Sequence, residues 1–202
     1  MSKNNKKQIS YKVILIGDTA VGKTSIILQY TKHTHPTSYL TTIGLDFATK
    51  KQQLENGKNV ELRIYDTAGQ EKFSSIVKNL YKTSQGVILV YDITSIKSFN
   101  NINNWLNFVK ENSKENTKML LVGNKIDLED KREVNINEAN KLANEFNVEL
   151  IEISAKNNIG VDDIFIKMAE MLSYDINDID TNDNIEINNL ELRKNKHSSN
   201  CC

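Results

Sequence analysis

Cysteine is almost absent from the chain: of 202 residues only Cys201 and Cys202, the last two, carry a thiol. A disulfide-stapled scaffold is therefore excluded. One proline and eight glycines exclude a collagen-like or proline-rich chain. An excess of either charge is lacking too. Twenty-six Lys and Arg balance twenty-six Asp and Glu, which argues against a strongly basic nucleic-acid binder and against a very acidic solvating protein. No apolar run approaches the roughly 18 residues of a membrane span. The polar, lysine-rich stretch from Met1 to Ser10 lacks the apolar centre of a secretory leader. These absences point to one cytosolic domain. The asparagines, dense in stretches such as Asn100–Asn107, read as surface composition.

Short apolar runs alternate with helical patterns. Tyr11–Ile16 and Gly86–Tyr91 are continuous apolar runs, as in strands buried on both faces. Leu45–Leu54 and Val60–Tyr65 alternate around Asn56-Gly57, a hairpin signal, and should pair antiparallel. Met119–Val122 and Leu150–Ile153 are the remaining strands. Helices are expected over Gly22–Tyr30, along Phe99, Ile102, Leu106 and Val109 with Ser98 as a cap, along Ala139, Leu142, Ala143 and Phe146, and from Val161 to Leu172. This order implies an α/β fold with right-handed crossovers, a mainly parallel sheet covered on both faces, and a ligand site at the carboxyl ends of the strands. The expected division is a flexible N-terminus over 1–9, a domain over 10–174 and a flexible tail over 175–202.

Gly17-Asp18-Thr19-Ala20-Val21-Gly22-Lys23-Thr24, followed by Ser25, fits G-x-x-x-x-G-K-[ST] between a strand and a helix, the context that motif requires. Main-chain N–H groups of the loop and the helix N-terminus would face phosphates. Lys23 would reach the β- and γ-phosphates, and the Thr24 hydroxyl would ligate Mg²⁺. The loop by itself does not choose a base. Asn124-Lys125-Ile126-Asp127 does: a carboxylate at Asp127 accepts from guanine N1–H and its amino group, a donor pair that adenine lacks. Asn124 would tie this segment to the phosphate loop, and the Lys125 stem would cover one face of the base. Ser154-Ala155-Lys156 would offer the Ala155 N–H to the guanine O6. Asp66-Thr67-Ala68-Gly69-Gln70 places a carboxylate for Mg²⁺ (Asp66), a backbone N–H for the γ-phosphate (Gly69) and a side chain to orient water (Gln70). Thr42 would give a second hydroxyl to the metal. Segments held only by the γ-phosphate would form an order–disorder switch.

With these motifs in one order, the chain resembles the Ras superfamily of small GTPases across about residues 10–174. The Rab branch fits best, on Ile43-Gly44-Leu45-Asp46-Phe47, Tyr65–Phe73, Tyr91-Asp92-Ile93-Thr94 and the terminal Cys pair. The resemblance implies a P-loop NTPase (Ras-like) three-layer α/β/α fold, its six-stranded sheet mainly parallel with one antiparallel strand. It implies a switch that binds GTP and GDP with Mg²⁺, hydrolyses GTP and acts in vesicle traffic. Gln70, Lys23 and Thr42 would carry catalysis, and His35 and Tyr39 would stand beside the nucleotide. Partners would be an exchange factor, an activating protein, a prenyl-binding chaperone and effectors that read Phe47, Tyr65 and Leu80. A monomer that does not bind nucleic acid is expected. A Rab-type Cys pair is normally geranylgeranylated. The tail over 175–202 holds six acids and three bases, so anchoring on the cytoplasmic face of a membrane would rest on lipid chains at Cys201 and Cys202. A nucleotide-bound adaptor with negligible hydrolysis is the alternative.

Overall fold

The computed structural model describes residues 9–34, 45–67 and 75–174. Six strands form one sheet: β1 (Ile9–Ile16), β2 (Leu45–Gln53), β3 (Asn59–Thr67), β4 (Gly86–Asp92), β5 (Lys118–Asn124) and β6 (Glu149–Ile153). Their order is β2-β3-β1-β4-β5-β6. Every pair is parallel except β2 with β3. That one antiparallel pair is the hairpin expected at Asn56-Gly57. Gly57 sits at a φ of 77°, and the Asn56 carboxamide accepts from the Lys58 N–H at 3.0 Å.

The helices are α1 (Lys23–Lys32), α2 (Ser75–Thr83), α3 (Ile96–Asn100), α4 (Ile102–Asn112), α5 (Ile136–Phe146) and α6 (161–174). They cover both faces of the sheet. Along β1, Val13 and Leu15 join a core with Ile26, Tyr30, Ile164 and Phe165 from α1 and α6. Ile14 and Ile16 point the other way, toward Leu80 and Tyr81 of α2, Leu106 and Val109 of α4, and Leu142 of α5. The continuous apolar run is thus shared between two cores, since successive side chains face opposite sides.

Three details depart from the sequence reading. The helix expected with Ser98 as its cap starts earlier, at Ile96, because Ser95 caps it: its hydroxyl accepts from the Ser98 N–H at 3.3 Å. Ser98 instead donates to the Ser95 carbonyl at 2.8 Å and accepts from the Asp92 N–H at 3.1 Å, fastening the helix to the end of β4. Helix α2 was not foreseen, and β1 begins at Ile9, paired with Val60.

Candidate functional site

The strand register brings the motifs to one end of the sheet. Leu15 pairs with Asp66, Asp92 with Asn124, and Asn124 with Ile153. The segments after β1, β3, β5 and β6 therefore meet at the carboxyl edge, where open α/β sheets bind ligands.

The phosphate-type loop curls through two glycines. Gly17 has a φ of 141° and approaches the Val90 carbonyl so closely that a Cβ would strike it. Gly22, the N-cap of α1, has a φ of 101°, and a Cβ there would strike Asn124 Nδ2. Ala20 adopts a left-handed φ of 65° without being glycine. Lys23 folds back and donates from Nζ to the Gly17 and Asp18 carbonyls, each at 2.8 Å. Burial lowers its pKa to about 8, opposed by the carboxylates of Asp66 and Asp18. Beside it, the Thr24 hydroxyl donates to Asp66 Oδ2 at 2.6 Å. Two oxygen ligands, one of them anionic, at the start of a helix suit a hard divalent cation. Among the described residues no group of three or more His, Cys, Asp or Glu could hold a metal, so the remaining ligands of such a cation would be phosphate and water oxygens.

The segments after β5 and β6 close around the other end of the loop. Asn124 donates from Nδ2 to the Val21 carbonyl at 2.9 Å, and its Oδ1 accepts from the Ala155 N–H at 3.1 Å. One buried carboxamide thus joins three segments. Lys125, at a φ of 76°, reaches the Ala20 carbonyl at 2.9 Å and Asp92 Oδ2 at 2.6 Å. Its stem spans the gap between the loop and β4. Strained backbone of this kind concentrates at functional sites. Ser154 donates to Asp127 Oδ1 at 2.6 Å, and Lys156 Nζ lies 3.8 Å from Asp127 Oδ2. Gly22, Ser25, Asn124, Lys125, Asp127 and Ala155 line one cleft of about 110 Å³, together with Leu128 and Lys156. Such a cleft suits a flat heterocycle with a carboxylate at its rim.

Thr19 is exposed at the tip of the loop, while Val21 is buried in the core beneath it. The Ala155 N–H, read from sequence as a donor to a base, is engaged by Asn124 here. His35, Tyr39, Thr42, Gly69 and Gln70 lie outside the described residues, as do Cys201 and Cys202. Of the three side chains expected on the surface, Phe47 is 63% exposed and stacks on Tyr65 with ring centroids 5.8 Å apart. Leu80 departs from that expectation. It is only 6% exposed, because its position on α2 turns it into the core under β1 and β4. Sequence reasoning also missed Asp92, which holds Lys125; a carboxylate at the carboxyl end of a buried parallel strand was the available signal.

Residues 12–174 match the Ras family. The chain is 37% identical over 191 residues to the GTP-binding protein ypt2 of Schizosaccharomyces pombe, covering 95% of each. It is 46% identical over 160 residues to the GTP-binding protein yptV2 of Volvox carteri, covering 79% of this chain and 73% of that protein. It is 43% identical over 159 residues to the Ras-related protein Rab-13 of Rattus norvegicus, covering 79% and 78%.

Proposed function

The chain belongs to the Ras family and is a Rab-type small GTPase that binds guanine nucleotides and hydrolyses GTP, and from that premise we propose that it works as a lipid-anchored switch in vesicle traffic. The observation that carries the site assignment is the placing of the Asp127 carboxylate, Asn124 and the N-terminus of α1 around one cleft. Asp127 accepts from the guanine edge. Adenine would leave this carboxylate, 7% exposed, without those donors, a loss that a site built for hydrogen bonds rejects strongly. The Lys23 ammonium and the amides of α1 hold the phosphates. Thr24 and Asp66, with Thr42, would hold Mg²⁺, which supplies charge neutralisation on the β- and γ-oxygens. Gln70 orients the attacking water, and Gly69 donates to the γ-phosphate. Ser154 and Lys156 keep the Asp127 carboxylate aimed at the cleft.

Among the described residues both arginines are engaged elsewhere. Arg63 lies near Glu61 at 3.3 Å, and Arg132 is bonded to Glu129 and Glu152. A finger supplied in trans would contribute about 10³–10⁵ in rate, so intrinsic turnover is slow and an activating partner sets the off-switch. An exchange factor, a prenyl-binding chaperone and effectors complete the cycle. The anchor is a prenylated Cys201-Cys202 pair on the cytoplasmic face of a membrane, with a cytosolic pool.

The test is competition on nucleotide-stripped full chain with magnesium present. GDP displaces a fluorescent GDP, and ATP at the same concentration does not; displacement by ATP overturns the guanine assignment. Gln70→Leu keeps GTP binding and loses single-turnover hydrolysis, and unchanged hydrolysis removes Gln70 from its role.

A further inference from the structure

The phosphate loop is gripped from its outer side by two groups that the nucleotide chemistry leaves unused. Asp18, second residue of the loop, accepts from Asn101 Nδ2 at 2.6 Å through Oδ2 and from Trp105 Nε1 at 2.9 Å through Oδ1. Asn101 joins α3 to α4 and Trp105 lies one turn on, so both reach one carboxylate from a single helix face. Trp105 is 2% exposed and packed within the core that contains Ile14, Ile16 and Leu89. Its N–H cannot swing away without repacking that core.

The main-chain carbonyl of the same aspartate accepts from Lys23 Nζ. One residue thus joins helix α4, through its side chain, to the loop lysine, through its backbone. An acid in a loop meant for polyanions would repel them if its carboxylate faced inward. Here two charge-assisted bonds hold the carboxylate against α4.

We propose that Asp18 is a positioning residue of the nucleotide site, held by Asn101 and Trp105, and that this tie slows the escape of bound guanine nucleotide. The proposal rests on the guanine-nucleotide reading above. Asp18 touches no phosphate in this role. It fixes the loop carbonyl that receives Lys23, and its loss loosens the loop without removing a ligand.

The test uses full chain loaded with a fluorescent GDP and chased with unlabelled GDP. Asn101→Asp sets two carboxylates face to face, and release accelerates about tenfold or more, the size of one hydrogen bond to a charged group. Asp18→Asn combined with Asn101→Asp restores a donor facing a carboxylate and returns release to within about threefold of wild type, well short of the tenfold that one such bond carries. That rescue is the signature a general loss of fold does not give. Asn101→Ala covers the case in which N101D does not fold, with release rising about fivefold, less than a full charged-group bond. Trp105 is the only tryptophan, so its emission spectrum reports the contact directly and shifts in N101D but not in the paired variant. Wild-type release in both N101D and N101A, or a paired variant as fast as N101D, overturns the proposal. Failure of the wild-type chain to retain any guanine nucleotide is a different result and overturns the reading beneath it.

Discussion

Lys23 is only 6% exposed, and its pKa is held near 8 while the same group in an unfolded chain titrates at 10.5. Between those values the unfolded chain binds the extra proton. Unfolding free energy of the nucleotide-free protein therefore rises with pH across that window. Nucleotide binding runs the other way. Phosphate needs the ammonium, so above pH 8 the complex takes up a proton on forming. Calorimetric binding of GDP at pH 9 should give an enthalpy that varies with the buffer's ionisation heat, with uptake approaching about one proton. A buffer-independent enthalpy at that pH contradicts the Lys23 assignment. Gly22→Ala should be more damaging than its size suggests. The new methyl meets Asn124 Nδ2 at a φ that disfavours side chains, so it disturbs the bond to the Val21 carbonyl as well as the backbone. Loss of GDP retention with a lower melting temperature is expected. These residues were legible because their pattern is local in the chain. Asn101 and Trp105 were not, since they reach Asp18 across more than eighty residues and an asparagine within the Asn-rich stretch 100–107 reads as solvent-facing composition.

Arg132 ties two elements that carry the residues proposed to read the base. It donates from Nη1 and Nη2 to the two carboxylate oxygens of Glu152 on β6 at 2.8 and 2.7 Å, and reaches Glu129 from the turn that follows Asp127. The tie keeps the segment bearing Asp127 in register with the strand that leads into Ser154. Arg132→Ala should cost about 1.5–3 kcal/mol, the range for hydrogen bonds to charged groups. A lower urea midpoint with an unchanged slope checks it. Most of that loss belongs to Glu152, because Glu129 is largely exposed and its pairing is screened. Elements were readable where burial writes a simple rhythm, as in β1 and β4. Helix α2 was not, although Ile76, Val77, Leu80 and Tyr81 follow a helical spacing. The β-branched pair in so short a segment lacks the length that separates helix from strand. The cap was misplaced by three residues because Ser95 and Ser98 offer the same chemistry, and only the path of β4 decides which one meets a free N–H.

At the scale of the whole molecule, zero formal charge and an acidic tail leave little for anionic lipid to attract. Membrane attachment should therefore be nearly insensitive to salt and should depend on the number of lipid chains. With both cysteines prenylated, the chain should co-sediment with vesicles equally at low and high salt. Cys202→Ser should reduce this to marginal, reversible binding, and losing both thiols should abolish it. Strong salt release of the doubly modified chain would count against this account. The three-layer arrangement and the single antiparallel strand follow from runs and turns that can be seen in the sequence, as does the tie from Asn124 to the phosphate loop, whereas its second bond, to the Ala155 N–H, depends on β5 and β6 lying side by side in the sheet.

The hairpin between β2 and β3 lies at the amino end of β3, seven residues from Asp66 and so about 20–25 Å from its carboxylate along the strand. At its tip, a Cβ added to Gly57 would meet nothing within 4 Å. A reporter peptide or a surface-coupling tag spliced there would hang from the edge of the sheet opposite the nucleotide cleft, giving a grip on the folded switch that leaves the cleft clear.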